Sequence, residues 1–297
     1  MIKYEKNKEC EACQLGKQNK SSFKNKQHIS TSRPLELLHM DLFGPSRIAS
    51  LGGKSYVYVI IDDYSRFTWV IFLAKKNEAC FEFSKLCKKI QNSKGYLITS
   101  IRSDHGREFE NQDFEELCNE HGIDHQFSAP RTPQQNGVVE RKNRTIQEMA
   151  RTMLNEDSLP TYFWAEAVNA ACYILDRVLT RPILNKTPYE LWKGRTPSLS
   201  HFKVFGSKCF LLNTKENLDK FDAKSDIGIF LGYASKSKAY RVFNKRTLVI
   251  EESVHVTFDE SNSTITSEIN DEDIGLEFPM QKLNIDDSSF LEKEENQ

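Results

Sequence analysis

Three acidic residues stand where carboxylates can do chemistry on phosphorus. Asp41 lies inside LELLHMDLFGP, Asp104 ends the run YLITSIRSDHG, and Glu140 falls in TPQQNGVVERKNRT; thirty-five residues separate the last two. Two strand-borne aspartates and a helix-borne glutamate can converge on hard divalent cations, which prefer carboxylate oxygen. A pair of such ions roughly 3.5–4 Å apart would hold the attacking and leaving oxygens of an in-line phosphoryl displacement. Each residue also has an ordinary reading. Glu140 and Arg144 stand four apart, the spacing of a surface helix ion pair worth ~0.3–0.5 kcal/mol. Asp104 before His105 and Gly106 suits a turn, and Asp41 alone would be a polar residue in mid-strand. It is the three together that point to a site.

The elements that must carry them are legible in the pattern. LELLHMDLF alternates and stops at Gly44-Pro45, as a strand does. SYVYVIIDDYSRFTWVIFL is two β-rich runs, with Asp62, Asp63, Tyr64 and Ser65 read as the hairpin turn between them rather than as metal ligands. EACFEFSKLCKKIQNSK has helical spacing in Phe81, Leu86, Cys87 and Ile90, and ITSIRSDHG returns as a strand with Asp104 at its carboxyl edge. Ligand crevices open at that edge in sheets flanked by helices. A helix, NQDFEELCNEHG, and a short strand, IDHQFSA, lead to a loop rich in Pro, Asn and Gly. In the helix that follows, Val139, Ile146, Met149, Ala150, Met153 and Leu154 share one face, and Glu140, Arg144, Gln147 and Arg151 share the opposite one. The order of three strands, helix, strand, helix, strand, helix is an RNase H-like α/β layout, a mixed five-stranded sheet with flanking helices.

LPTYFWAEAVNAACYILDRVL reads as a second long amphipathic helix. TRPILNKTPYELWKGRTPSLSHF, punctuated by Pro182, Pro188 and Pro197, reads as a linker with a helical turn at Tyr189–Trp192. From Lys203 to Phe258 come short strands, KVFG, KCFLL, IGIFLGY, AYRVF, TLVIEES and VHVTF, with turns expected at Asn213, Gly228, Gly232 and Asn244-Lys245. Strands at this spacing fit a small barrel.

The triad and its interval, joined to the contiguous signature TPQQNGVVERKNRT, closely resemble the D,D-35-E core of integrases from copia-type LTR retrotransposons, and the resemblance covers residues 10–260. It implies a Mg²⁺- or Mn²⁺-dependent polynucleotidyl transferase with Asp41, Asp104 and Glu140 as catalytic metal ligands. The reactions implied are optional trimming of the element's cDNA ends and transfer of those ends into target DNA. It places Gln134, Gln135, Asn136 and Gly137 in a loop that moves over DNA. It likens the later strands to the SH3-like domain that follows the catalytic core. Partners implied are DNA and a homo-oligomer, with no small-molecule substrate, and the setting is the nucleus with a cytoplasmic particle stage. Arg141, Lys142, Arg144 and Arg151 are candidate phosphate contacts, each adding salt-sensitive affinity without base information. Lys236, Lys238, Arg241, Lys245 and Arg246 make the second domain a candidate DNA-end or partner module.

Cys10 and Cys13 in CEACQLGK are half of a tetrahedral zinc site. In the family two histidines precede such a pair. None does here, and His28 and His39 follow it. Residues 1–32 are therefore expected to be a truncated remnant, with Cys10 and Cys13 an incomplete zinc site and Zn²⁺ doubtful. The other expected divisions are a catalytic core at 33–155, a helical extension and linker at 156–200, an SH3-like β domain at 201–260 and a disordered acidic tail at 261–297.

Composition bounds the rest. In 297 residues, 38% hydrophobic and 11% aromatic, there is enough apolar surface for packed cores, but no apolar run of the ~18 residues a membrane span needs. The charged start MIKYEKNKEC is no secretory signal. Seven scattered cysteines argue for a reducing compartment. Residues 261–297 hold ten acidic and two basic residues, a balance of −8, which leaves +7 for residues 1–260 of the whole chain's −1. A basic body suits a polyanionic partner. Two alternatives to the enzyme remain: an inactive nucleic-acid-binding remnant of a retrotransposon polyprotein, and a non-specific RNase H-type nuclease, against which the TPQQNGVVERKNRT loop and helix argue.

Overall fold

A computed structural model describes residues 30–128, 136–213, 219–234 and 237–259. Cys10, Cys13, Gln134, Gln135, Lys236 and the acidic tail lie outside the described residues. The chain divides into two compact units, one of residues up to Leu154 together with Pro160–Phe202, the other of Asn155–Leu159 together with Lys203 onward.

The first unit is built on a mixed five-stranded sheet in the order β3-β2-β1-β4-β5. β1 (Leu37–Phe43), β2 (Tyr56–Asp62) and β3 (Thr68–Leu73) form an antiparallel meander. β4 (Ser100–Ser103) and β5 (Asp124–Phe127) continue the sheet in parallel. This is the RNase H-like arrangement that the element order predicts. The turn between β2 and β3 is made by Asp62, whose carboxylate accepts the Ser65 N–H at 2.7 Å and the Leu35 N–H at 2.8 Å.

Side chains alternate across a strand, so β1 serves both layers of the fold. Leu38 and Met40 point into the main core, with Phe83, Cys87 and Ile90 of α1 (Ala79–Lys94) and Phe114, Leu117 and Cys118 of α2 (Gln112–His121). His39 and Asp41 point the other way, His39 Nε2 to the Asp63 carboxylate and Asp41 to Asn143 of α3 (Gly137–Glu156). α3 buries Val139, Asn143, Ile146 and Ala150, a stripe at helical spacing. Next comes α4 (Trp164–Val178), whose Cys172 thiol reaches the Thr68 carbonyl at 3.5 Å and whose Asp176 accepts the Thr68 N–H at 2.9 Å, fastening it to β3.

The proline-punctuated stretch expected to be a linker packs within this same unit. Thr187 closes a capping box with Glu190 at the start of α5 (Pro188–Lys193), and Trp192 joins the main core at 3% exposure. Its ring stacks on Phe67 at 5.5 Å and meets Trp69 edge-on at 4.8 Å. Prolines mark where the chain turns; one large apolar side chain decides that it docks.

The second unit is an SH3-like all-antiparallel sheet, β10-β6-β7-β8-β9. Its strands are β6 (Lys208–Leu212), β7 (Ser225–Tyr233), β8 (Tyr240–Asn244), β9 (Val249–Ser253) and β10 (Val256–Phe258). Two expectations are corrected here. KVFG is not a strand; it runs into a turn at Gly206, whose φ of 91° favours glycine. Gly228 and Gly232 are not turns but lie inside β7. A Cβ on Gly228 would sit 2.5 Å from both Leu211 Cδ1 and Val242 Cγ1, so this glycine admits close packing. Gly232 falls at a register shift between β7 and β8, a bulge.

Candidate active site

Asp41 leaves β1 on the α3 side. Asp104 follows directly on the last residue of β4, the parallel neighbour of β1. Glu140 is in the first turn of α3. The sheet thus places both aspartates, and the entry of α3 brings the glutamate to them.

Their charges meet at Asp41. Burial, then the Asp104 charge, lift its carboxyl to about 6; the Leu42 N–H and Asn143 oppose the rise, and the Glu140 charge adds to it. Like charges converging on a half-buried carboxylate make a site short of positive charge. Asp104 is oriented locally, its Oδ1 accepting the Gly106 N–H at 3.1 Å. Glu140 is exposed, and its own N–H is held by the Asn136 carbonyl at 3.2 Å.

Three carboxylates, hard oxygen donors, fit Mg²⁺ or Mn²⁺ by chemistry. Among the described residues, however, no three Asp, Glu, His or Cys side chains are gathered tightly enough to hold an ion. The triad faces itself at electrostatic rather than ligand range.

Sequence reasoning passed over Asn143. Its Nδ2 donates to Asp41 Oδ2 at 2.7 Å, across 102 positions of sequence, and its own buried Oδ1 has no partner among the described residues. The signal was its place in the pattern: four residues after Val139 and three before Ile146, it puts an amide on the apolar stripe of the helix, where it needs a partner.

The expected DNA contacts divide. Arg141, Arg144 and Arg151 are exposed on α3. Lys142 is not free for phosphate, because its ammonium lies 3.1 Å from the buried Asp176 carboxylate with 16% of the side chain exposed. Asn136 is 2% exposed and its Nδ2 points to the Met40 carbonyl at 3.4 Å, so it braces the end of the loop against β1 instead of offering a side chain to DNA. Gly137 is buried, and among the described residues a Cβ there would meet the Arg141 guanidinium at an ordinary 3.5 Å. Backbone freedom is not required at the helix entry. In the second unit Arg246 is paired with Asp226 at 2.7 Å and Arg241 with Glu252 at 3.1 Å, which commits two of the cations proposed there.

Comparison with known proteins agrees with this organisation. Residues 31–133 match the integrase core domain family, and residues 207–272 match the retroviral polymerase SH3-like domain. The retrovirus-related Pol polyprotein from transposon TNT 1-94 of Nicotiana tabacum is 39% identical over 254 residues, 86% of this chain and 19% of its own length. That from transposon RE2 of Arabidopsis thaliana is 32% identical over 251 residues, 84% of this chain and 17% of its own. The chain therefore spans less than a fifth of these relatives. Among solved structures, the HTLV-2 integrase catalytic core domain in complex with magnesium aligns with a TM-score of 0.41 and 22% identity, over 54% of this chain and 97% of that one. The simian T-cell lymphotropic virus intasome in complex with PP2A regulatory subunit B56 gamma aligns with a TM-score of 0.48 and 15% identity, over 82% and 87%. The chain is a homologue of the Pol polyproteins of copia-type retrotransposons and carries, in order, an integrase core domain and a retroviral polymerase SH3-like domain.

Proposed function

We propose that this chain catalyses divalent-metal-dependent phosphoryl transfer on DNA, joining the 3′ ends of an element's cDNA to target DNA in the nucleus. The observation that carries it is the placement of Asp41 on β1, Asp104 at the end of the neighbouring β4 and Glu140 at the entry of α3; burial first, then the Asp104 charge and last that of Glu140, lift the Asp41 carboxyl to about 6. Asp41, Asp104 and Glu140 would hold Mg²⁺ or Mn²⁺, which supplies charge stabilisation at phosphorus and at the leaving oxygen.

The chain's own groups do the positioning. Asn143 ties down Asp41 Oδ2 and leaves Oδ1 as the ligand. The Gly106 N–H holds Asp104 Oδ1, presenting Oδ2. Glu140, exposed at the helix entry, is the donor with room to move inward. Arg141, Arg144 and Arg151 lie along α3 to take backbone phosphates, and handling two cDNA ends together calls for an oligomer.

Incubating the full chain with Mg²⁺ or Mn²⁺, a labelled cDNA-end oligonucleotide and a target duplex tests this. Joined product is expected from the wild type, with a loss of at least about a hundredfold in Asp104→Asn and Glu140→Gln, equivalent to a few kcal/mol of charge stabilisation. Joining unchanged by Asp104→Asn would remove that residue from catalysis. A second reading, an inactive DNA-binding remnant, is favoured by the open spacing of the triad. It predicts salt-dependent DNA binding with no joining under any metal.

A further inference from the structure

A fourth carboxylate stands beside Asp104, and it carries its own counter-charge. Glu108 follows Asp104 by four residues in a tight loop closed by the Phe109 and Glu110 N–H groups, both bonded to the Gly106 carbonyl at 2.8 Å and 2.9 Å. That loop folds the Glu108 side chain back over Gly106. The point a Cβ on Gly106 would occupy lies 2.9 Å from Glu108 Oε2 and 3.1 Å from Asp104 Oδ1. The two carboxylates therefore share the space above one glycine, and any side chain at that position would push them apart.

Two anions this close, one of them only 10% exposed, need compensation. Glu108 Oε1 receives it from Lys76 Nζ at 3.0 Å. Lys76 comes from the turn before α1, and its ammonium also lies 5.9 Å from the Tyr56 ring centroid. An ordinary surface ion pair joins two mobile, solvated groups. Here a largely covered carboxylate is held on one oxygen by Lys76, itself 46% exposed, while its other oxygen and Asp104 Oδ1 both border the point a Gly106 Cβ would occupy.

We propose that Lys76 and Glu108 are positioning residues that set the affinity of the Asp104 end of the site for its divalent cation; the inference rests on the metal reading given above. Lys76 cancels the charge of Glu108, so Glu108 shapes the loop without adding to the anionic field at Asp104. Removing the lysine alone exposes that field to a full extra negative charge. Removing the glutamate's charge alone leaves an unbalanced ammonium next to the site. The two changes act in opposite directions on a cation, and together they cancel. A unit charge on the order of 6 Å from a dication changes its affinity about tenfold even with water-like screening.

The test is Mn²⁺ binding to the full chain without DNA, read as free Mn²⁺ by electron paramagnetic resonance, with circular dichroism as the check on folding. Lys76→Met is expected to tighten binding about tenfold, Glu108→Gln to weaken it about as much, and the double variant and Lys76→Arg to return within about twofold of wild type. The proposal is overturned if both single variants leave the affinity unchanged, or if both move it the same way, as a merely structural pair would. If Mn²⁺ binding is lost in Asp104→Asn while Lys76→Met and Glu108→Gln match wild type, this inference fails alone. If the wild-type chain binds no Mn²⁺, it fails together with the metal reading.

Discussion

Lys142 is the residue at which a helical-face reading and the folded structure disagree most sharply, and replacing it has a calculable consequence. Its ammonium sits 3.1 Å from Asp176 Oδ1, and the other oxygen of that carboxylate accepts the Thr68 N–H at 2.9 Å. Burial pushes the Asp176 carboxyl above its usual range, with Lys142 the leading opposing influence. Removing one partner of a buried pair costs ~3–5 kcal/mol; since water reaches the lysine and Thr68 still serves the carboxylate, Lys142→Met should cost about 2–3 kcal/mol. Asp176→Asn keeps an acceptor for Thr68 and removes the stranded charge, so the double variant should lie within about 1 kcal/mol of wild type. The sign with pH follows. With Lys142 gone, the folded carboxyl binds its proton more tightly than the unfolded one, whose pKa is ~3.9, so the deficit grows as pH rises above that value and shrinks toward it. Urea unfolding of the full chain followed by tryptophan fluorescence is the assay. The three tryptophans, Trp69, Trp164 and Trp192, all lie in the first unit, so the signal reports that unit alone. A Lys142→Met variant as stable as wild type, or a double variant no better than the single, would refute the reasoning.

Other consequences are as direct. Trp192→Ala should cost the first unit ~3–5 kcal/mol, the range for emptying a buried aromatic site, and a change below about 1 kcal/mol in the same titration would return residues 181–202 to the status of a linker. Gly228→Ala should destabilise the second unit by ~1–3 kcal/mol through overpacking against Leu211 and Val242, seen as a lower melting temperature for its β-sheet dichroism and absent from the tryptophan signal. Burial would raise the Asp63 carboxyl, but the His39 hydrogen bond at 2.9 Å and the Arg66 charge outweigh it and hold it well below the ordinary range. That depressed value stabilises the fold above the unfolded pKa of ~3.9 and is lost as pH falls below it. Asp63→Asn should therefore be less stable at neutral pH and show a shallower acid limb; melting temperatures between pH 2.5 and 7 that fall in parallel for both proteins would disprove it.

Much of the site was readable because it depends on local pattern. Alternation in LELLHMDLF separates Leu38 and Met40 from His39 and Asp41 with no knowledge of what covers either face. The 3.6-residue period of α3 likewise separates Val139, Ile146 and Ala150 from the exposed Arg144 and Arg151. The element order fixed the sheet class, and strand-end and helix-start positions set where the three carboxylates would emerge.

What a periodic pattern cannot contain is the identity of the group on the other side. Lys142 reads as solvated until α4 brings Asp176 to it from 34 positions away. Asn143 reads as filler until β1 presents Asp41. The same holds for Gly228, whose neighbours Leu211 and Val242 arrive on separate strands, and for Glu108, which a loop folds over Gly106 on the side of Asp104. Residue type and spacing determined which faces exist on this chain. Only the tertiary structure decided which charges those faces meet, because electrostatic and packing energies depend on distances in space that the order of residues along the polymer leaves open.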